Sequence, residues 1–197
     1  MANNDTPSES EILGYVKSLS NWGRWGDDDQ FGTMNYISQE HRLKAAALVK
    51  DGASISCART ITTETAPDIR SPFLHYMTGS GEGYTPNNES NTAQTTGSGD
   101  FIGMAFHGFW ITHLDSLCHM FWNGQMYNGR PSSMVTTREG ALAESIELLK
   151  DGVVSRGVLL DAPRHRGIDW MEPGQGVMPH ELEAMQKEQG VAVEPGD

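Results

Sequence analysis

The chain has 197 residues, a formal net charge of -12, 22 glycines and two cysteines. Its length suits one domain with a real core. The charge repels phosphate backbones and anionic lipid, and no basic cluster offsets it locally, which excludes nucleic acid as an expected partner.

No run of about eighteen apolar residues occurs, so no membrane span is predicted. The opening MANNDTPSES has no basic region followed by an apolar core. We therefore expect a cytoplasmic protein in which Cys57 and Cys118 stay reduced.

In chain order, roughly the first eight residues are expected to be disordered. SEILGYVKSLS then puts Ile12, Leu13, Val16 and Leu19 at helical spacing. Residues 1–19 thus read as a tail with a short helix, and 20–197 as the domain proper. NWGRWGDDDQFGTMNYIS predicts an ordered loop packed on the body. Its Trp22, Trp25 and Phe31 either wall a pocket for an aromatic substrate or serve packing. Ser38 is a suitable N-cap for a helix over QEHRLKAAALVK that stops at Asp51-Gly52. ASISCARTI alternates as a strand does.

Residues 62–99 are rich in Thr, Ser, Asn, Gly and Pro, the composition of a functional or mobile loop. Within them GSGEGYTP lacks the lysine and the flanking elements of a phosphate-binding loop. TTREGALAESIELLKDG opens with Thr136 and Glu139 at capping-box spacing, which predicts a helix ending at Gly152. VVSRGVLLD reads as a buried strand, with Asp161 and His165 just beyond it as either site or turn residues. MPHELEAMQKEQG predicts a helix closing at Gly190, and VAVEPGD a strand fragment running into a turn, so we expect the sequence to be a piece of a longer protein. The repeated order of helix, Lys-Asp-Gly stop and strand predicts an α/β domain with helices on a mixed sheet.

FHGFWITHLDSLCHMFWNG, residues 106–124, is the segment that demands an explanation. It holds His107, His113, His119, Asp115 and Cys118 among aromatics, and buried polar groups need partners. Either it is a hydrogen-bonded core strand or it is a metal site. If residues 106–115 are extended, His107, Phe109, Ile111, His113 and Asp115 share one face. A turn after Asp115 would then return His119 toward them. Imidazole with carboxylate suits zinc or manganese, and three protein ligands with one open position is a catalytic arrangement. A thiol nucleophile at Cys118 has no supporting partners in the sequence.

THLDSLCH resembles the H-x-G-T-H-x-D-x-P-x-H signature of the metal-dependent cyclase-like hydrolases, the family of bacterial kynurenine formamidase and isatin hydrolase. NWGRWGDDDQFGTMNYIS and GVLLDAPRHRGIDW resemble its larger cyclases, so the similarity runs from about Ser20 to the end.

The resemblance implies a mixed sheet or partly closed barrel of the swivelling β/α type with flanking helices. It implies metal ligands at His113 and Asp115, and a proton shuttle or second-metal ligand at His119. Phe109 stands where the family's first histidine belongs, His107 lies two residues earlier as its replacement, and Leu117 stands in place of the proline. Further family ligands come from a C-terminal third that this chain is expected to lack. The implied activity is hydrolysis of a small amide, formamide, lactam or lactone by metal-bound hydroxide, with Zn²⁺ or Mn²⁺ as cofactor and a homodimer or larger assembly. The alternative is a non-catalytic relative that binds a small molecule or a partner chain.

Overall fold

The computed structural model describes residues 7–84 and 95–197. The first six residues of the tail expected to be disordered, and positions 85–94 of the predicted loop, lie outside the described residues, as does the end of GSGEGYTP. In chain order the helices are α1 (Glu9–Ser18), α2 (Gln39–Ala46), α3 (Ala162–Arg166) and α4 (Pro179–Gln189). The strands are β1 (Leu74–Gly79), β2 (Gly99–Gly103), β3 (Val135–Thr136) and β4 (Gly140–Ala141). Short 3-10 turns cover Gly32–Tyr36, Leu117–His119, Tyr127–Gly129, Ser132–Met134 and Ile146–Leu149. Among the described residues no helix is long and apolar enough to cross a membrane.

The chain divides into two units, one of residues 1–53 with 115–197 and the other of residues 54–114. In the first, α1 begins where the Ser8 hydroxyl accepts the Glu11 amide and the Glu11 carboxylate accepts the Ser8 amide, two otherwise orphaned donors satisfied reciprocally. The Ser38 hydroxyl likewise accepts from the His41 amide and starts α2. That helix ends at Ala46 rather than at Asp51. α4 stops at Gly190, whose φ of 68° is the left-handed conformation that glycine enters without steric cost.

α3 packs on α4 through charge as well as apolar contact. Arg166 Nε and Nη2 donate to the two Glu181 carboxylate oxygens, each at 2.8 Å, and Nη2 also reaches the Gly176 carbonyl at 2.7 Å. A bidentate pair of this kind fixes the orientation of both side chains. Met126 and Met185 are the apolar side chains most completely buried, at 1% exposure each, and Cys118 and Ala162 are buried with them in the same unit.

In the second unit β1 and β2 form an antiparallel ribbon that pairs Tyr76 with Phe101 and Met77 with Asp100. Tyr76 and Phe101 stack at 4.9 Å, and on the opposite face His75 Nε2 meets Asp100 Oδ2 at 2.7 Å. Ile69 and Ile111 are the buried apolar residues here.

The architecture is mixed α and β with small sheets, and five expectations are corrected. The described residues form two two-stranded ribbons and no closed barrel or larger mixed sheet. ASISCARTI and VVSRGVLLD carry no strand, and Ile55 and Leu159 are 84% and 80% exposed. Alternation and apolar content suit a strand, but a strand also needs a hydrogen-bonded neighbour. VAVEPGD likewise ends in a turn without pairing. TTREGALAESIELLKDG is no helix: the Thr136 hydroxyl does accept the Glu139 amide at 2.9 Å, but it caps the turn of the β3–β4 hairpin. Gly140 at φ 74° and Glu144 at φ 56° then break any helical course.

Candidate active site

The segment from His107 to His113 is not the continuous strand that the alternation predicts. It bends at residues 108–111, where Gly108 has a φ of 128°. The bend matters because it removes the simple two-residue alternation of faces and brings His107 against His113 by another route. Their ring centroids are 5.5 Å apart and nearly perpendicular, and Phe106 lies 5.4 Å from His113. Arg59 holds the bend in place: its amide donates to Thr112 Oγ1 at 2.8 Å, Nη1 donates to the Phe109 carbonyl at 3.1 Å, and Nη2 pairs with Asp68. Phe109 itself is 94% exposed, so its side chain does not fill the histidine position that it takes in the sequence.

His113 Nδ1 sits 2.7 Å from the Ile111 carbonyl oxygen. A carbonyl only accepts, so Nδ1 carries a proton, and in the neutral ring the lone pair lies on Nε2. This hydrogen bond fixes tautomer and ring orientation together, which is how metal-binding imidazoles are commonly held.

Asp115 and His119 belong to the first unit. After Asp115 the chain turns as expected: residues Leu117–His119 form a 3-10 turn, closed by the His119 amide on the Ser116 carbonyl. The turn puts His119 Nε2 at 3.6 Å from Asp115 Oδ2. That is an ion-pair distance and too long for a good direct hydrogen bond. Cys118 is buried and its Sγ lies 2.9 Å from Ser116 Oγ, a structural setting.

The three aromatics of the 22–31 segment have separate surroundings. Trp25 is half-buried, edge-on to Tyr36 at 5.2 Å, with the Arg24 guanidinium over it at 5.7 Å. Trp22 lies against Gly129. Phe31 opens onto a groove of about 300 Å³ that Met34, Ile37, Leu148 and Val153 also line, with Arg42 at its edge. Asp161 caps α3 by accepting the Arg164 amide, and His165 Nδ1 meets Glu188 Oε2 at 2.7 Å, so both have structural partners.

Beneath the aromatic segment lies a polar hub whose residues the sequence reading did not single out. Asp29 accepts from the Gly32 amide and Asn35 Nδ2, both at 2.8 Å, and from the Tyr127 hydroxyl at 2.9 Å. Desolvation would lift its pKa, but these hydrogen bonds outweigh it and hold the carboxyl below its ordinary value. Burial, and then the bond to Asp29, push the Tyr127 phenol up to about 12.

Arg130 Nη1 bridges the Asp29 carbonyl at 2.9 Å and Glu144 Oε1 at 3.0 Å. Glu144 is 1% exposed, and burial raises its pKa against the pull of Arg130. The DDDQF and YNGR stretches hint at turns, but nothing local in the sequence marks Glu144 as their partner.

No protein-family model matches the chain, and no curated protein does. Among solved structures, the crystal structure of a protein described as a novel cyclase matches with a TM-score of 0.80 and 32% sequence identity, over 92% of this chain and 60% of that one. The chain thus spans about 60% of that protein's length. A likeness this extensive, at this identity, is consistent with a cyclase-like family.

Proposed function

We propose that the protein is a metal-dependent hydrolase that cleaves a C–N or C–O bond of a small amide, formamide, lactam or lactone. The donors suit a divalent ion of the zinc or manganese kind, being imidazole nitrogens and a carboxylate oxygen. His113, Asp115 and His107 are the residues that would hold it. A bound ion of this type lowers the pKa of a coordinated water toward neutrality and polarises a carbonyl oxygen.

The chain's own residues supply the rest. The Ile111 carbonyl keeps the His113 ring in one tautomer, with its lone pair on Nε2. Asp115 contributes negative charge, and the 3-10 turn keeps His119 beside it. From there His119 carries a proton between the attacking water and the leaving group, a role worth on the order of 10²- to 10⁴-fold in rate. Trp22, Trp25 and Phe31 are the residues that favour an aromatic substrate, such as an N-formylated aniline.

The observation that carries this reading is the fixed tautomer of His113 two positions before a carboxylate. Formanilide hydrolysis and elemental analysis of the purified protein test it. Asp115→Ala should lose both bound metal and turnover. His119→Gln should retain metal while kcat falls on the order of 10²- to 10⁴-fold. Full activity of the Asp115 variant without metal would overturn the scheme.

A further inference from the structure

Asn128 is one of three non-glycine residues described with positive φ, at 55°. Asparagine enters that region more readily than other side chains, but the conformation still has a cost, and the surrounding structure must hold it. Here the side chain supplies the holding contacts. Its Oδ1 accepts the Gly23 amide at 2.8 Å, and its Nδ2 donates to the Gly26 and Asp29 carbonyls, both at 3.0 Å. One amide therefore grips both ends of the seven-residue loop 23–29. The neighbouring Gly129, at φ 74°, brings the backbone under the Trp22 ring: a Cβ there would stand 3.5 Å from it.

The same loop touches the turn that carries His119. Gly32 is buried at φ 56°, and a Cβ at that position would stand 3.1 Å from Leu117 Cδ1 and 3.7 Å from the Tyr127 ring. Leu117 begins the 3-10 turn that ends at His119. A continuous path of contacts thus runs from Asn128 through the 23–32 segment to Leu117, entirely within one unit.

We propose that Asn128 is a positioning residue: its side-chain amide latches the 23–29 loop, and through Gly32 and Leu117 it sets the Trp22 wall and the His119 turn as one piece. Its importance for turnover rests on the reading of His119 as the proton carrier, whereas the mechanical coupling does not.

The test uses Asn128→Gly in the whole protein. Glycine accepts the same backbone conformation, so the substitution removes the amide without adding strain. Hydrogen exchange is followed in peptides covering 22–32, 116–120 and 179–189. With all the Asn128 side-chain hydrogen bonds lost from one loop, exchange should quicken at least about tenfold in the first two peptides and stay unchanged in α4.

With formanilide, kcat should fall about tenfold as the His119 turn loosens, and KM should rise by about the same factor as the Trp22 wall does. Asn128→Asp keeps the acceptor for Gly23 but loses both donors, and should fall between the two. Faster exchange in 22–32 alone would overturn the coupling, as would a lower melting temperature with KM and the 116–120 peptide unchanged. If the unaltered protein holds no metal and hydrolyses nothing, the hydrolase reading fails, and exchange in the same two peptides still upholds or overturns the latch.

Discussion

Gly32 shows how much can rest on the lack of a side chain. Its φ of 56° is a region that an L residue enters at a cost, and the space where a Cβ would stand is occupied by Leu117 at 3.1 Å. Gly32→Ala should destabilise the protein by about 1–3 kcal/mol, read from urea unfolding. A change below about 0.5 kcal/mol would mean that the contact with Leu117 yields easily.

This residue, like Asn128, was legible in the sequence only as part of a turn-rich stretch. The partners of both lie about a hundred positions away, and no local pattern records them. His119 differs, because the turn that returns it toward Asp115 is a matter of a few consecutive residues.

Among elements, the same division between local and distant causes holds. Ser38, the helical spacing from Ile12 to Leu19 and the glycine stop at Gly190 act within a turn or two of the chain, and α1, α2 and α4 form where those signals place them. The strands expected at 53–61 and 153–161 depend on neighbours that a single segment cannot specify. The Thr136 capping signal does form its hydrogen bond but starts no helix, since the same bond closes a hairpin turn.

The α3–α4 pair has a pH dependence that follows from its clamp. Hydrogen bonds from Arg166, and then the Met178 amide, pull Glu181 from its ordinary 4.5 to about 2. A depressed carboxyl contributes stability that is complete above its unfolded pKa and is lost as pH falls through the folded one. Exchange protection of 179–189 should therefore weaken between about pH 4.5 and 2. Glu181→Gln should lower protection at neutral pH and flatten that dependence. The Arg156–Asp197 pair, where Asp197 is also drawn to about 2, would account for the part that remains.

For the molecule as a whole, the exposed apolar side chains matter more than any one element. Ile55, Leu74, Tyr76, Ile102 and Leu159 are all more than half exposed, and the β1–β2 ribbon shows apolar groups on both faces. Apolar groups exposed on a ribbon in this way are the kind of surface that interaction sites use. An isolated two-stranded ribbon is also marginal in water. Light scattering on the purified chain should give at least twice 21.6 kDa, as the proposed homo-oligomer requires. A species of 21.6 kDa at micromolar concentration would count against it.

The latch at Asn128 also has a consequence for biosynthesis. Residues 54–114 form a unit of their own between the two stretches that the latch joins, so the loop at 23–29 has no partner until the polypeptide has been extended past Arg130. At translation speeds of about 5–20 residues per second, Trp22 waits on the order of 5–20 s on the ribosome before the contact can close. During that interval an indole and several aspartates stay on the nascent chain without the contacts that later hold them.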